Sequence, residues 1–275
     1  MQTQSLNWDV IERPIFSNFK QVNGYKAIYR SDTDELLHIA KNSYTPTTNE
    51  RFLETVYRLS QITGYPVELY DEIAGGKKTL AFLKCLEPSR INGYDFKDYL
   101  LIGNSHDGST GFFVGNSNIM VRCENRFTKQ FRQIQINHTK NHSFKIDSLA
   151  GSFSNYTRQR QRFYDEFAEY IDFEIVEEDK QSLVNLIADV TPHEREDNKL
   201  ISTRKNNIIR DINESIRIET NELGNNLFGL FNGITHNTTH TRKQKEASFC
   251  NAIGTNAELN AKTLNFCQNL IEIRK

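Results

Sequence analysis

The chain has 275 residues, of which 37% are apolar, with a formal net charge of −1 and a mean hydropathy of −0.62. That length suits one large domain or two small ones, and 18 Phe and 11 Tyr supply core material, which excludes a disordered chain. The opening MQTQSLNWDV has neither a basic nor an apolar leader segment, and no apolar run approaches the roughly 20 residues that cross a bilayer, so the expectation is a soluble, cytoplasmic protein without a membrane partner.

In chain order, YKAIYRSDTDELLHIAKNSY reads as a hairpin: Tyr25, Ala27 and Tyr29 alternate, Ser31 to Asp34 turn, and Leu37 and Ile39 return. A helix is expected from near Thr47, with a Thr cap, Glu50 in its first turn, and Phe52, Val56, Leu59 and Ile62 on one face. GYPVELYDEIAGGKKTLAFLKCLE is a second hairpin turning at Gly75-Gly76. YLLIGNSHDGSTGFFVGNSNIMVRC is a third strand pair with Gly108 at its turn. Beyond Lys145 the periodicity turns helical, with Leu149, Phe153, Tyr156, Phe163, Phe167 and Tyr170 three, four or seven apart. Pro192 interrupts the chain, and two or three further helices follow it. The expected fold class is α+β, an antiparallel sheet of hairpins with packed helices in the N-terminal half and a helical C-terminal half. The expected division is a core domain over 1–172 and a helical region over 173–275 packed on it.

Charge is segregated along the chain. From Val121 to Arg162 nine basic side chains face two acidic ones, whereas from Phe163 to Asn198 twelve acidic side chains face Lys180 and Arg195 alone. A basic stripe attracts polyanions, and an acidic segment beside it either neutralises the stripe or presents its own surface to a partner. If the stretch around NIMVRCENRFTKQFRQ passes from strand to helix near Glu124, Arg126, Lys129 and Arg132 project over one and a half turns, with Arg122 at the strand end. Arg158 and Arg162 continue the series on the following helix. Guanidinium and ammonium groups arranged in this way follow a phosphate backbone, and Phe127 and Phe131 either pack in the core or offer faces to bases.

Other chemistry is thinly signalled. GGKKT at 75 to 79 lacks the glycine that a Walker loop needs at position 71, which is Asp71, and no GxSxG, HExxH, GxGxxG or EF-hand spacing occurs. His138 with His142, and His236 with His240, have the spacing that places two imidazoles on one helix face, but polar surface histidines are the simpler reading and no metal or other cofactor is expected. His106-Asp107 is either an acid–base pair or part of an Asx-type loop, and the loop is favoured because neighbours on a strand point apart. Cys85, Cys123, Cys250 and Cys267 are scattered without CxxC, so reduced, mostly buried thiols are expected.

Taken together, WDVIERPIF, YKAIYRSDTDELLHIAKNSYTP, YLLIGNSHDGSTG, VRCENRF, INHTKNH and NLFGLFNGITHNTTHTR resemble the phage/plasmid-like proteins grouped as domain-of-unknown-function family 932. The resemblance runs in order from about Trp8 to residue 270 and implies an origin in a bacteriophage, plasmid or other mobile element. It carries no catalytic roles. The family's late motif pairs Asn-Ala with an acidic residue; Asn232 matches it, whereas Gly233 and His236 depart. A β-rich half followed by a basic helix also looks like the core of single-strand annealing proteins, a likeness of fold alone. The leading expectation is therefore a non-enzymatic protein that binds single-stranded DNA without sequence preference, as an oligomer, through Arg122, Arg126, Lys129, Arg132, Arg158 and Arg162. The alternatives are a metal-dependent enzyme on nucleic acid built on His106, Asp107, His138 and His142, and a module docking on a host protein through its acidic segment.

Overall fold

The computed structural model describes residues 6–86, 89–120, 125–139, 145–146, 148, 153–242 and 254–274, with backbone alone at 126–135, 153–157, 159 and 198. Two compact units divide the chain. The first comprises Met1–Glu87, Asp98–Asn116 and Gln130–Arg158, and the second Pro88–Lys97, Ser117–Lys129 and Gln159–Lys275.

The fold class is α+β, with antiparallel sheets in the N-terminal half and helices in the C-terminal half. Strands β1 (Val10–Ser17), β2 (Lys20–Arg30) and β3 (Leu36–Lys41) form a three-stranded sheet in that order. The hairpin expected from Tyr25 onward is β2–β3, where Ala27, Ile28, Leu37 and Ala40 are buried; Ile39 is exposed, contrary to the alternation read from the sequence. Helix α1 (Asn49–Thr63) follows, and the Thr48 hydroxyl caps it by accepting from the Arg51 amide at 3.1 Å. Its Phe52, Val56 and Leu59 are buried in one cluster with Ala81, Leu83, Leu100, Ile102, Phe112 and Val114, while Ile62 faces water.

Those partners come from a six-stranded sheet of β4 (Val67–Ile73), β5 (Lys78–Lys84), β6 (Ser89–Ile91), β7 (Tyr94–Ser105), β8 (Phe112–Met120) and β9 (Arg126–Ile136). The strand order is β4-β5-β7-β8-β9, and β6 pairs with β7. Thr79 to Leu83 of β5 are all buried, because this central strand is covered on both faces. The Gly75-Gly76 hairpin turn is where the sequence places it. Gly76 has φ +92°, and a Cβ there would lie 2.5 Å from the Trp8 ring, so both backbone conformation and space require glycine. Arg30 covers the same indole at 4.2 Å and pairs with Glu72 at 2.8 Å, while Trp8 donates to the other Glu72 oxygen at 2.7 Å.

The second unit is organised by α2 (Phe153–Asp172), α3 (Glu177–Ile187), α4 (Pro192–Glu196), α5 (Thr203–Leu223), α6 (Leu227–His236) and α7 (Thr255–Arg274). Phe163, Phe167 and Tyr170 of α2 are buried as their spacing implies; Leu149 lies outside the described residues, as do the side chains of Phe153 and Tyr156. Pro192 opens α4 at the position where its missing N–H costs nothing, behind a Thr191 cap that accepts from the Glu194 amide. Helix α6, LFGLFNGITH, is buried from Leu227 through Thr235 and packs with α5, α7, Phe96 and Met120. Cys85 and Cys267 are buried, and Cys123 and Cys250 lie outside the described residues.

Candidate functional site

In the first unit, three connections converge on an open pocket of about 730 Å³. The end of β3 and the turn after it supply His38, Lys41, Ser43 and Tyr44; the β7–β8 turn supplies Gly108 to Gly111; and the segment leaving β9 supplies Asn137 to Thr139. The volume lies within the range of small-molecule sites. Three rings form a row along it, with His38 and Tyr44 5.7 Å apart and Tyr44 and His138 5.2 Å apart between centroids. The Tyr44 hydroxyl donates to the Ser105 carbonyl at 3.2 Å. Burial, followed by the charges of Asp107 and Glu12, raises its pKa well above the usual phenol value, so it stays protonated.

Backbone approach shapes the turn. Gly108 has φ +70°, and a Cβ on it would come within 2.8 Å of His38 Nε2. A Cβ on Gly111 would meet the Ile136 carbonyl oxygen at 2.3 Å, so these two segments pack main chain to main chain. Asp107 accepts from the Ser109 amide at 2.9 Å, which is the Asx turn favoured from NSHDGST. The Ser105 hydroxyl accepts from the Thr110 amide at 3.2 Å and donates to the Thr110 carbonyl at 2.5 Å.

Beneath the turn lies a buried polar layer. His106 is fully buried; its Nε2 sits 3.0 Å from Asn49 Oδ1, and the Asn49 amide donates to the Trp8 carbonyl at 2.9 Å. That orientation of Asn49 leaves Oδ1 as the acceptor, so the neutral imidazole carries its proton on Nε2. Its Nδ1 is buried with no hydrogen-bond partner among the described residues. Burial first, then the neighbouring His138, depresses the His106 pKa to about 3, against a smaller opposing pull from Asp107. Asn104 donates to the Thr47 carbonyl at 3.2 Å, and the Thr47 hydroxyl lies 3.3 Å from His138 Nδ1. Among the described residues no hydrogen bond joins His106 to Asp107, and a fully buried imidazole cannot reach a substrate. His138, read from the sequence as a surface histidine, is 8% exposed and forms the pocket wall; His142 lies outside the described residues.

The second histidine pair sits in the other unit, where α6 continues into a π-turn over Asn237–Thr241. The His236 and His240 rings are 4.9 Å apart, and His236 Nδ1 lies 2.8 Å from Glu219 of α5. Among the described residues no three His, Cys, Asp or Glu side chains gather to hold a metal ion. Among the described residues no helix is long and apolar enough to cross a membrane.

The basic residues divide. Arg122 lies outside the described residues. Arg126, Lys129 and Arg132 belong to strand β9, not to a helix, because the chain pairs with β8 there as the last strand of the sheet. Only their backbone is described. Arg158 and Arg162 stand one turn apart on α2, both exposed, and neither makes an ion pair with any described residue. Arg160, between them, turns inward to donate to Ser89 at 2.7 Å. Three carboxylates of the acidic segment find their cations elsewhere: Asp179 pairs with Arg274 at 2.6 Å, Glu177 with Lys180 at 3.4 Å, and Glu194 with Lys205 at 2.7 Å. Hydrogen bonding from the Lys205 ammonium holds the Glu194 carboxyl down at about 2.

Sequence reasoning missed His38, Tyr44, Thr47 and Asn49. NSYTPTTN reads as a helix-capping loop, and only strand pairing between distant segments brings it against the NSHDGSTG turn. No curated protein and no solved structure matches the chain. A family model matches residues 36–263, a span that holds the β3 strand, the pocket, the basic strand and all of α2 to α6, and the chain belongs to the family described as a domain of unknown function, DUF932.

Proposed function

We propose that this is a non-enzymatic protein of a mobile genetic element that binds single-stranded DNA without reading its sequence, inside the bacterial cell and as an oligomer. The observation that carries the reading is the state of Arg158 and Arg162. They project from one helix into solvent, and three carboxylates of the acidic segment that follows, Asp179, Glu177 and Glu194, pair with Arg274, Lys180 and Lys205 instead. Guanidinium groups without an ion pair among the described residues and one helical turn apart, about 6 Å along the axis, match the repeat of a strand's phosphates. The basic strand β9 adds Arg126, Lys129 and Arg132 on a single extended segment. Such contacts position a backbone and carry no base information.

A mobility shift with a single-stranded oligonucleotide of roughly 15 nucleotides, within the span such grooves occupy, tests this. The double charge reversal Arg158→Glu/Arg162→Glu is expected to weaken binding about tenfold or more, equally for different sequences, because each lost phosphate contact is sequence-independent. Both positions are exposed, so circular dichroism should remain unchanged. No shift by the wild-type chain, or an unaltered shift by the variant, removes the reading.

A further inference from the structure

We infer that the pocket of the first unit is a site for a nucleoside 5′-phosphate, either free or at the end of a strand; the choice of ligand rests on the nucleic-acid reading above. Three observations point there. The lining carries one full cation, Lys41, together with two imidazoles, and contains no carboxylate. The two carboxylates whose fields reach Tyr44 are already engaged, Asp107 by the Ser109 amide and Glu12 by Lys26 at 2.8 Å. The lining itself therefore offers an anion one ammonium beside hydroxyl and imidazole groups, with Glu12 paired and Asp107 turned to its own loop. The second observation is the row of His38, Tyr44 and His138, which puts π-surface beside that cation; base on aromatic is the contact by which proteins hold single nucleotides without reading them. The third is rigidity. Gly108 and Gly111 fix the turn by close backbone approach, the Tyr44 hydroxyl is tied to Ser105, and His138 is tied to Thr47, so the walls are formed before a ligand arrives. The volume of about 730 Å³ accommodates a mononucleotide.

The pocket wall from Asn137 to Thr139 is the direct continuation of strand β9. Arg132 lies in the same unit, five residues before Asn137, or about 17 Å along an extended chain, a distance of a few nucleotides. A strand running along β9 would thus reach the pocket with its end.

Calorimetric titration of the full chain with deoxythymidine 5′-monophosphate, thymidine and inorganic phosphate tests the inference. The monophosphate should bind, and each fragment alone should bind at least about tenfold more weakly, as expected when stacking and charge act together. Lys41→Glu, at an exposed position at the end of β3, should weaken the monophosphate about tenfold or more with the fold intact, while Arg158→Glu/Arg162→Glu should leave it unchanged. Competition by a 5′-phosphorylated oligonucleotide, but not by its unphosphorylated form, would identify a strand end as the source; competition by neither would identify the free nucleotide. Absence of heat with the monophosphate, or indifference to Lys41→Glu, overturns the inference even if oligonucleotides still shift. Monophosphate binding with no oligonucleotide shift would keep the pocket and overturn the strand-binding reading.

Discussion

Lowering the pH from 6.5 towards 3 should destabilise the fold with a slope that approaches about 1.4 kcal/mol per pH unit from His106 alone. The unfolded chain protonates this imidazole near its ordinary value of 6.5, whereas the folded chain resists until about 3. Between those limits the unfolded state binds the additional proton, so stability is fully present above the higher value and declines as pH falls. The cause is structural: Asn49 takes the Nε2 proton, Trp8 stands edge-on at 5.4 Å, and no described acceptor faces the buried Nδ1, so a second proton would place a charge where no described residue compensates it. By pH 5 the accumulated loss should be about 2 kcal/mol, a large part of an ordinary domain's stability. Urea unfolding at several pH values measures it, and His106→Gln should flatten the dependence across this window. If that variant does not fold, the imidazole resonances of the native chain give the same answer by failing to titrate above pH 4. A His106 titration near 6.5 in the folded chain would contradict the account.

Gly233→Ala should have an effect of similar or greater size, confined to the second unit. A Cβ at this position would stand 2.6 Å from Ile216 Cα and 2.7 Å from its Cγ1. The obstruction is main chain as much as side chain, so a rotamer change does not relieve it, and α5 and α6 must separate. Those two helices form a hairpin whose seam holds Ile212, Ile216, Leu223, Phe228 and Phe231 in one core. The expected cost is about 2–3 kcal/mol, at the upper end for overpacking, even though alanine has the better helix propensity. Chemical denaturation reads it. A neutral or stabilising outcome would mean that the α5–α6 contact is looser than described.

Much of the fold was legible because its cues are local. The Thr48 cap, the four-and-three spacing of Phe52, Val56 and Leu59, the glycines at 75 and 76, and the Phe163, Phe167 and Tyr170 stripe each report on a single turn or strand. What escaped was non-local. Strand β1 is mostly exposed and offers no alternating apolar set, and the sequence of β9 also suits a passage into a helix, because basic and aromatic residues fit either period. Sheet pairing decides between them, and pairing is set by β8. The pocket escaped for the same reason: Tyr44, His106 and His138 are far apart in sequence, and nothing local distinguishes a histidine buried against Asn49 from one in water. The exposure of Arg158 and Arg162 is legible in the sequence because the buried stripe of α2 fixes where the solvent side lies.

The most direct test of the central claim is the dependence of single-stranded DNA affinity on salt. If the five cations Arg126, Lys129, Arg132, Arg158 and Arg162 of β9 and α2 line a strand's phosphates, log K should fall linearly with log salt, with a slope of about −3.5 between roughly 50 and 200 mM, and Arg158→Glu/Arg162→Glu should make it shallower by between one and two. A flat line, or the same slope in both proteins, would show that these side chains do not hold a nucleic acid.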